Sequence, residues 1–237
     1  MKKHPGPIYF RSQHAEDVIM DKFFQSKTGF YVDIGAASGR KISNTWFFAK
    51  LCEWKGICVE PSILFFDKLM VNRPESTNIC VAVSDYSGEI ILHQHPTGFI
   101  CTTNIDEAIT ARKEDKKKLG IKMSEYTPIT VPVCTIDEIL DNYNAPQKID
   151  IFSLDVEGSE QKVLSKFKFE KYDVTVFIVE AISKKQQNNL KKLFSKHDYH
   201  MALQLGGNML FVREKNIENI KIAYDMSKGC RVPHWLD

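Results

Sequence analysis

The chain has 237 residues, 43% of them apolar and 26% charged, with a formal net charge of +2. Those values exclude extended disorder and suit one α/β domain with a sizeable core. So small a charge gives no general pull toward nucleic acid, and no apolar run is long enough to cross a bilayer.

Cysteines 52, 58, 80, 101, 134 and 230 form no Cys-x-x-Cys pair and no zinc-type spacing with histidine, so they read as reduced thiols. The start, MKKHPGPIYF, lacks the apolar core of a signal peptide. Together these features point to a soluble, reducing, cytoplasmic setting. The lysines at 116–118, 184, 185, 191 and 192 read as solvated helix faces.

Residues 1–28 read as an arm followed by a helix. Pro5, Gly6 and Pro7 oppose helix, whereas Val18, Ile19, Phe23 and Phe24 recur near helical spacing between Gln13 and Phe24. Ser12 is available as the cap. Gln13, Glu16 and Asp17 either serve the helix start or lend polar groups to a neighbouring site.

Phe30–Ile34 reads as a buried strand that stops at Gly35. Gly35, Ala36, Ala37, Ser38 and Gly39 carry almost no side-chain bulk, so a ligand can approach their main chain closely. A helix containing Trp46, Phe47, Phe48, Leu51 and Trp54 follows, with Ser43 as its cap and Gly56 as its terminating glycine. The next strand, Ile57–Val59, ends on Glu60, where a carboxylate can accept both hydroxyls of a ribose.

Gly35 and Gly39 are spaced Gly-x-x-x-Gly, not Gly-x-Gly-x-x-Gly, which disfavours a pyrophosphate-bearing nicotinamide cofactor. An adenosyl ligand without pyrophosphate fits better, S-adenosylmethionine above all.

Pro61 and Ser62 open another helix, and residues 79–83 read as a third strand. Beyond it, Ser84 and Asp85 are placed to meet the adenine amine, unless they are plain turn residues before Gly88. Strand and helix alternating at this spacing call for a parallel, doubly wound sheet. Residues 89–132 break the alternation and read as an insertion on the acceptor side, with a strand at Ile90–Leu92 and a charged helix from Asp106 to Lys118. His93 and His95 within it read as surface histidines.

Thr135 caps IDEIL, and the apolar strand Ile149–Leu154 runs into Asp155, Glu157 and Gly158, ahead of a helix that Ser159 starts. Acids two residues apart at a strand end are awkward to bury, which favours a functional role for Asp155 and Glu157. A further buried strand, Val174–Val179, ends on Glu180. A helix from about Ser183 to His197 and a hairpin around Gly206-Gly207 follow. The tail after Arg213 yields no assignment.

VDIGAASG with SNT and CVEPS resembles the cofactor half of the FkbM-type methyltransferases, a branch of the class I Rossmann-like enzymes. SQHAED at Ser12–Asp17, VAVSDYSGE at Val81–Glu89 and LDVEGSEQKVL at Leu154–Leu164 resemble the same family. The resemblance implies a single domain over residues 1–237: a mostly parallel Rossmann-like sheet closed by an antiparallel hairpin. It implies S-adenosylmethionine as cofactor and O-methylation of a sugar or other small-molecule hydroxyl, without a nucleic-acid partner. Cofactor contacts are then expected at Gln13, Asp17, Asp33, Gly35, Ala36, Ser38, Gly39, Asn44, Glu60, Pro61, Ser84 and Asp85, and acceptor-side chemistry at Asp155, Glu157 and Glu180. No residue is assigned to a metal. The residues leave open a cation held by paired carboxylates, a noncatalytic binding module and the choice between oxygen and nitrogen acceptors. The middle glycine of the general class I loop is Ala37 here.

Overall fold

Five short apolar runs pair into one sheet because each can bury both faces only between helices. The computed structural model describes residues 9–25, 27–94, 101–102 and 126–228. The first half contains α1 (Glu16–Phe24), β1 (Phe30–Ile34), α2 (Trp46–Leu51), β2 (Lys55–Val59), α3 (Ile63–Asn72) and β3 (Thr77–Ile79). An excursion follows, made of β4 (Ala82–Val83), β5 (Gly88–Gln94), β6 (Cys101–Thr102) and β7 (Thr127–Cys134). The second half contains α4 (Ile136–Asn142), β8 (Lys148–Leu154), α5 (Glu160–Leu164), β9 (Asp173–Glu180), α6 (Lys184–Ser195), β10 (Tyr199–Leu205), β11 (Asn208–Arg213) and α7 (Glu214–Ser227).

The main sheet has seven strands in the order β10-β11-β9-β8-β1-β2-β3. Strands β3, β2, β1, β8 and β9 are parallel neighbours, while β11 runs antiparallel between β9 and β10. The fold is therefore the expected mostly parallel α/β sheet with a C-terminal antiparallel hairpin. Among the described residues, no helix is long and apolar enough to cross a membrane.

Alternation along the strands builds two cores. Val32, Ile34, Ile57, Val59, Phe152, Leu154, Phe177 and Val179 face one side, where α4, α5 and α6 add Leu140, Leu164 and Phe194. Tyr31, Cys58, Ile151, Val176 and Ile178 face the other, under Ile19 of α1, Phe47 and Phe48 of α2, Leu69 of α3 and Ile220 of α7. On this second face the period-2 pattern leads toward the carboxyl ends into Asp33, Glu60, Ser153, Asp155 and Glu180. The apolar cover gives way to polar groups where a ligand of an open α/β sheet would sit.

Several expectations change in the structure. Ser12 does not cap α1, whose preceding residue is Ala15 in a left-handed conformation. Gly56 lies inside β2 and does not end α2; the chain reverses instead at Glu53, with φ 58°. A Cβ at Gly56 would fall 2.2 Å from the Tyr31 ring, so glycine there makes room for an aromatic on the adjacent strand. The expected third strand divides: β3 stays in the main sheet, and β4 joins a four-stranded sheet of order β4-β7-β5-β6. The expected helix at Asp106–Lys118 and His95 lie outside the described residues.

The tail left unassigned forms α7. Ile217, Ile220 and Tyr224 supply its apolar stripe at helical spacing, but no side chain caps its start, so the usual boundary signal is missing. Both Thr135 and Ser183 form the reciprocal capping boxes that their positions imply, with Glu138 and Gln186 respectively.

Gly56→Ala forces its methyl group into the Tyr31 ring and should destabilise the fold by about 2 kcal/mol, read as a lower urea midpoint at unchanged m-value.

Candidate functional site

The bend after β1 is shaped by what lies beside it. Gly35 has φ 80°, and a Cβ built on it would stand 1.8 Å from the Asp155 carbonyl oxygen. The neighbouring strand end is held by the Asp155 N–H, which donates to the Ile34 carbonyl at 3.0 Å. Ala37 also takes a left-handed φ of 45°. At Gly39, φ 69°, a Cβ would meet Leu69 and Arg73 side-chain atoms at 2.4 and 2.7 Å.

Most N–H groups of the bend are already used. Gly35 and Ala36 both donate to the Val59 carbonyl, at 2.9 and 3.0 Å, and Gly39 donates to Ala36 at 2.8 Å. The Ala37 N–H donates to Glu60 Oε2 at 2.8 Å. The bend thus presents bare main chain and little bulk, and its small residues serve close approach more than amide donation.

Glu60 is 5% exposed and points at the bend. Its second oxygen, Oε1, accepts the Ser62 N–H at 2.8 Å, so one carboxylate ties the end of β2 to the β1 bend and to the start of α3. Burial pushes its pKa up to about 7; the Ser62 and Ala37 N–H groups lower it, while Asp155 and Asp33 raise it further. A carboxylate offers about four lone-pair positions, so two neutral donors leave capacity for hydroxyls.

Beneath the bend, Asp33 lies beside Cys58 on β2 and Ser153 on β8. Thr45 Oγ1 donates to Asp33 Oδ2 at 2.5 Å and accepts from both terminal nitrogens of Arg73 at 3.1 Å. Arg73 is fully buried, and it also donates to the Gly39 carbonyl at 3.2 Å. Its guanidinium carbon stands 4.9 Å from the centre of the Tyr31 ring. Burial raises the Asp33 pKa, and the charge of Arg73 opposes that rise. Asn44 donates to Ser153 Oγ at 3.1 Å, and the Ser38 carbonyl accepts from Asn72 at 2.8 Å.

A second cluster forms where β8, α5 and β9 meet. One oxygen each from Asp155, Glu160 and Glu180 lies within 4.8 Å of the others. Here Glu160 stands in the place expected of Glu157: it is 2% exposed, and its Oε1 accepts from Val156 and Gly158 at 3.1 and 3.0 Å. Those bonds close a tight turn in which Glu157 has φ 59° and Gly158 has φ 103°. Burial, then the Asp155 charge, push Glu160 up to about 7. Asp155 Oδ1 is buried and has no hydrogen-bond partner. Chemically, three crowded carboxyls can share a proton, take one from an acceptor, or hold a cation.

The remaining candidates are dispersed. Asp17 is wholly buried; it accepts from the Arg11 and Ser12 N–H groups at 2.6 and 3.1 Å and from the Ser12 hydroxyl at 2.5 Å, which fastens the arm to α1. Gln13 is exposed, whereas Glu16 accepts from Asn208 Nδ2 at 2.6 Å and so joins this segment to the β10–β11 hairpin. His14 packs against Gly206 of that hairpin's turn, and the Gly207 carbonyl accepts from Ala181 beside Glu180. Pro61 follows Glu60 directly. Ser84 and Asp85 follow β4 of the small sheet, not a main-sheet strand, and Asp85 pairs with Lys162 at 3.5 Å.

Sequence reading passed over Arg73, Thr45 and Ser153. Ser153 had a signal, as a hydroxyl interrupting an apolar strand; Arg73 had none, being one arginine between a helix and Pro74.

Both Glu60 and Glu160 start from an ordinary value of 4.5 and rise to about 7 on folding. The folded state therefore holds protons more tightly than the unfolded chain, and stability falls as pH climbs from about 4.5 to about 7. Melting curves over that range should show this decline, and Glu160→Gln should flatten it and raise the Tm at pH 8 by several degrees.

The methyltransferase FkbM domain matches residues 33–207 of this chain. No curated protein matches it. Among solved structures, an FkbM methyltransferase from Methylobacillus flagellatus KT is 15% identical, with a TM-score of 0.48; the match covers 78% of this chain and 43% of that one, so this chain spans less than half of its length. The precorrin-6y C5,15-methyltransferase of Geobacter metallireducens GS-15 is 10% identical over 90% of each chain, with a TM-score of 0.46. The plantazolicin methyltransferase BamL, solved with S-adenosylhomocysteine, is 9% identical, covering 93% of this chain and 78% of that one, with a TM-score of 0.38. With the family match running from the strand that carries Asp33 to the turn of the closing hairpin, the chain belongs to the FkbM methyltransferase family.

Proposed function

We propose that this chain transfers the methyl group of S-adenosylmethionine to a hydroxyl oxygen of a sugar or another small molecule. The observation that carries the reading is the meeting of Glu60 and the low-bulk bend with a crowded carboxyl cluster at one edge of one sheet. Adenosine fits the first half: Glu60 would accept from the ribose hydroxyls, and the main chain of Gly35, Ala36, Ser38 and Gly39 would lie against the ligand, with Asn44 and Pro61 flanking it. Ser84 and Asp85 remain candidates for the adenine end, and Gln13 for the rim.

The bound donor supplies an electrophilic methyl carbon on a positively charged sulfur. The protein's task is then to align an acceptor lone pair with that carbon and to keep water out. As the new oxygen–carbon bond forms, the acceptor proton must leave. Asp155, whose Oδ1 is buried without a partner, is the base best placed to take it. Glu180 and Glu157 flank that position, and Glu160, with its raised pKa, limits the negative charge crowded around it at neutral pH.

A soluble, reducing compartment belongs to the same reading, supported by Cys58, Cys80 and Cys134, none of which is in a disulfide. The spacing of Asp155, Glu160 and Glu180 favours one second reading, in which these oxygens hold a divalent cation that polarises the acceptor.

Calorimetric titration with S-adenosylhomocysteine should show binding that Glu60→Ala weakens at least about tenfold, since it removes an acceptor from buried hydroxyls. A labelled-donor screen of glycans and nucleotide sugars should identify an acceptor. With it, Asp155→Asn should keep donor binding and lose turnover by about a hundredfold or more; unchanged turnover would remove Asp155 from the chemistry.

Chelator separates the two readings. Activity unaffected by EDTA supports the proton-transfer scheme, and activity lost to EDTA and restored by magnesium supports the cation.

A further inference from the structure

We propose that Arg73 is a positioning residue for the methyl-donor site: its guanidinium fixes the bend through the Gly39 carbonyl and fixes Asp33 through the Thr45 hydroxyl. The inference rests on the donor-binding role given to the bend above, and it assigns a function to a side chain at the end of α3 that reaches no surface.

A fully buried guanidinium is costly unless its charge is matched and its donors are used. Here the matching anion is Asp33, 4% exposed, and the two are joined through a hydroxyl. Thr45 Oγ1 has a single proton. Because it accepts from both Arg73 Nη1 and Nη2, that proton is free to point at Asp33 Oδ2, and the short 2.5 Å bond shows that it does. Without Arg73 the hydroxyl loses its reason to face Asp33.

The same nitrogen, Nη1, holds the Gly39 carbonyl at 3.2 Å and comes within 3.5 Å of Ser43 Oγ, whose own oxygen accepts from the Thr45 and Trp46 N–H groups. Bend, β1 end and α2 start therefore share one cation. The stem contributes as well, because Arg73 Cγ is among the atoms that a Cβ at Gly39 would strike. On the far side the guanidinium lies over the Tyr31 ring, and Nε faces Glu75 Oε1 at 3.5 Å, so it has little room to rotate away. Lysine offers charge at this depth but no fork to serve Gly39 and Thr45 together.

The test compares wild type with Arg73→Lys, Arg73→Met and Thr45→Val. Each variant is titrated calorimetrically with S-adenosylhomocysteine at a temperature where its melting curve shows it fully folded. The expected result is a Kd raised about tenfold or more by Arg73→Met and by Thr45→Val, with Arg73→Lys between these and wild type. Faster amide exchange at residues 36–39 should accompany it. A merely structural Arg73 would lower the Tm and leave the Kd of folded protein at the wild-type value; that result overturns the proposal. Thr45→Val, which keeps side-chain size and the buried charge, decides the matter should Arg73→Met fail to fold. If wild type itself ignores S-adenosylhomocysteine, the donor-site reading falls, and this assignment falls with it.

Discussion

Two parallel strands end side by side with no spare volume between their carboxyl ends. The α-carbon of Gly35 faces the Asp155 carbonyl so closely that no further atom fits, while the Asp155 N–H bonds back to Ile34. A side chain at either crossing would push β1 and β8 apart and break the register that pairs Asp33 with Ser153. From this contact follow the left-handed turn at Gly35, the path of the bend toward Glu60, and the arrival of Asp155 at the edge of the donor site. Backbone packing, more than any ionic bond, therefore sets the distance between the two halves of the chemistry.

What was legible in the sequence was local. Strand β1, the small residues after it, Glu60 and the two capping boxes are each written within a few neighbouring positions, and hydrophobic period and cap chemistry suffice to read them. What escaped was decided by contacts distant in the chain. Gly56 looks like a helix terminator until Tyr31 is seen against it. Asp85 looks like the end of a main-sheet strand until β4 is seen to pair with β7, fifty residues further on, with Ala82 opposite Val133. Glu160 looks like a helix-start acid, which it is not: its oxygen is spent on the turn that holds Asp155, and its first-turn position hides that role.

The buried charges follow one rule. Each inward-facing acid near the sheet edge is compensated by main-chain N–H groups or by a relay, and not by an adjacent basic side chain. Glu60 and Glu160 each take two amides, Asp17 takes amides and a hydroxyl, and Asp33 is reached by Arg73 through Thr45. Amide donors belong to the fold and cannot swing away, so an acid they hold keeps its place while its proton comes and goes.

The placement of β1 also bears on how the chain is made. Its left-hand neighbour β2 follows at once, but its other neighbour β8 arrives only after a long stretch of synthesis, and the Phe30 amide waits 120 positions for its Asp150 acceptor. Until then a nascent chain displays the open edge of its most apolar strand to the cytosol or to another copy of itself. Ribosome-associated holdases and a slow, late closing step are what such a wiring diagram demands of its host.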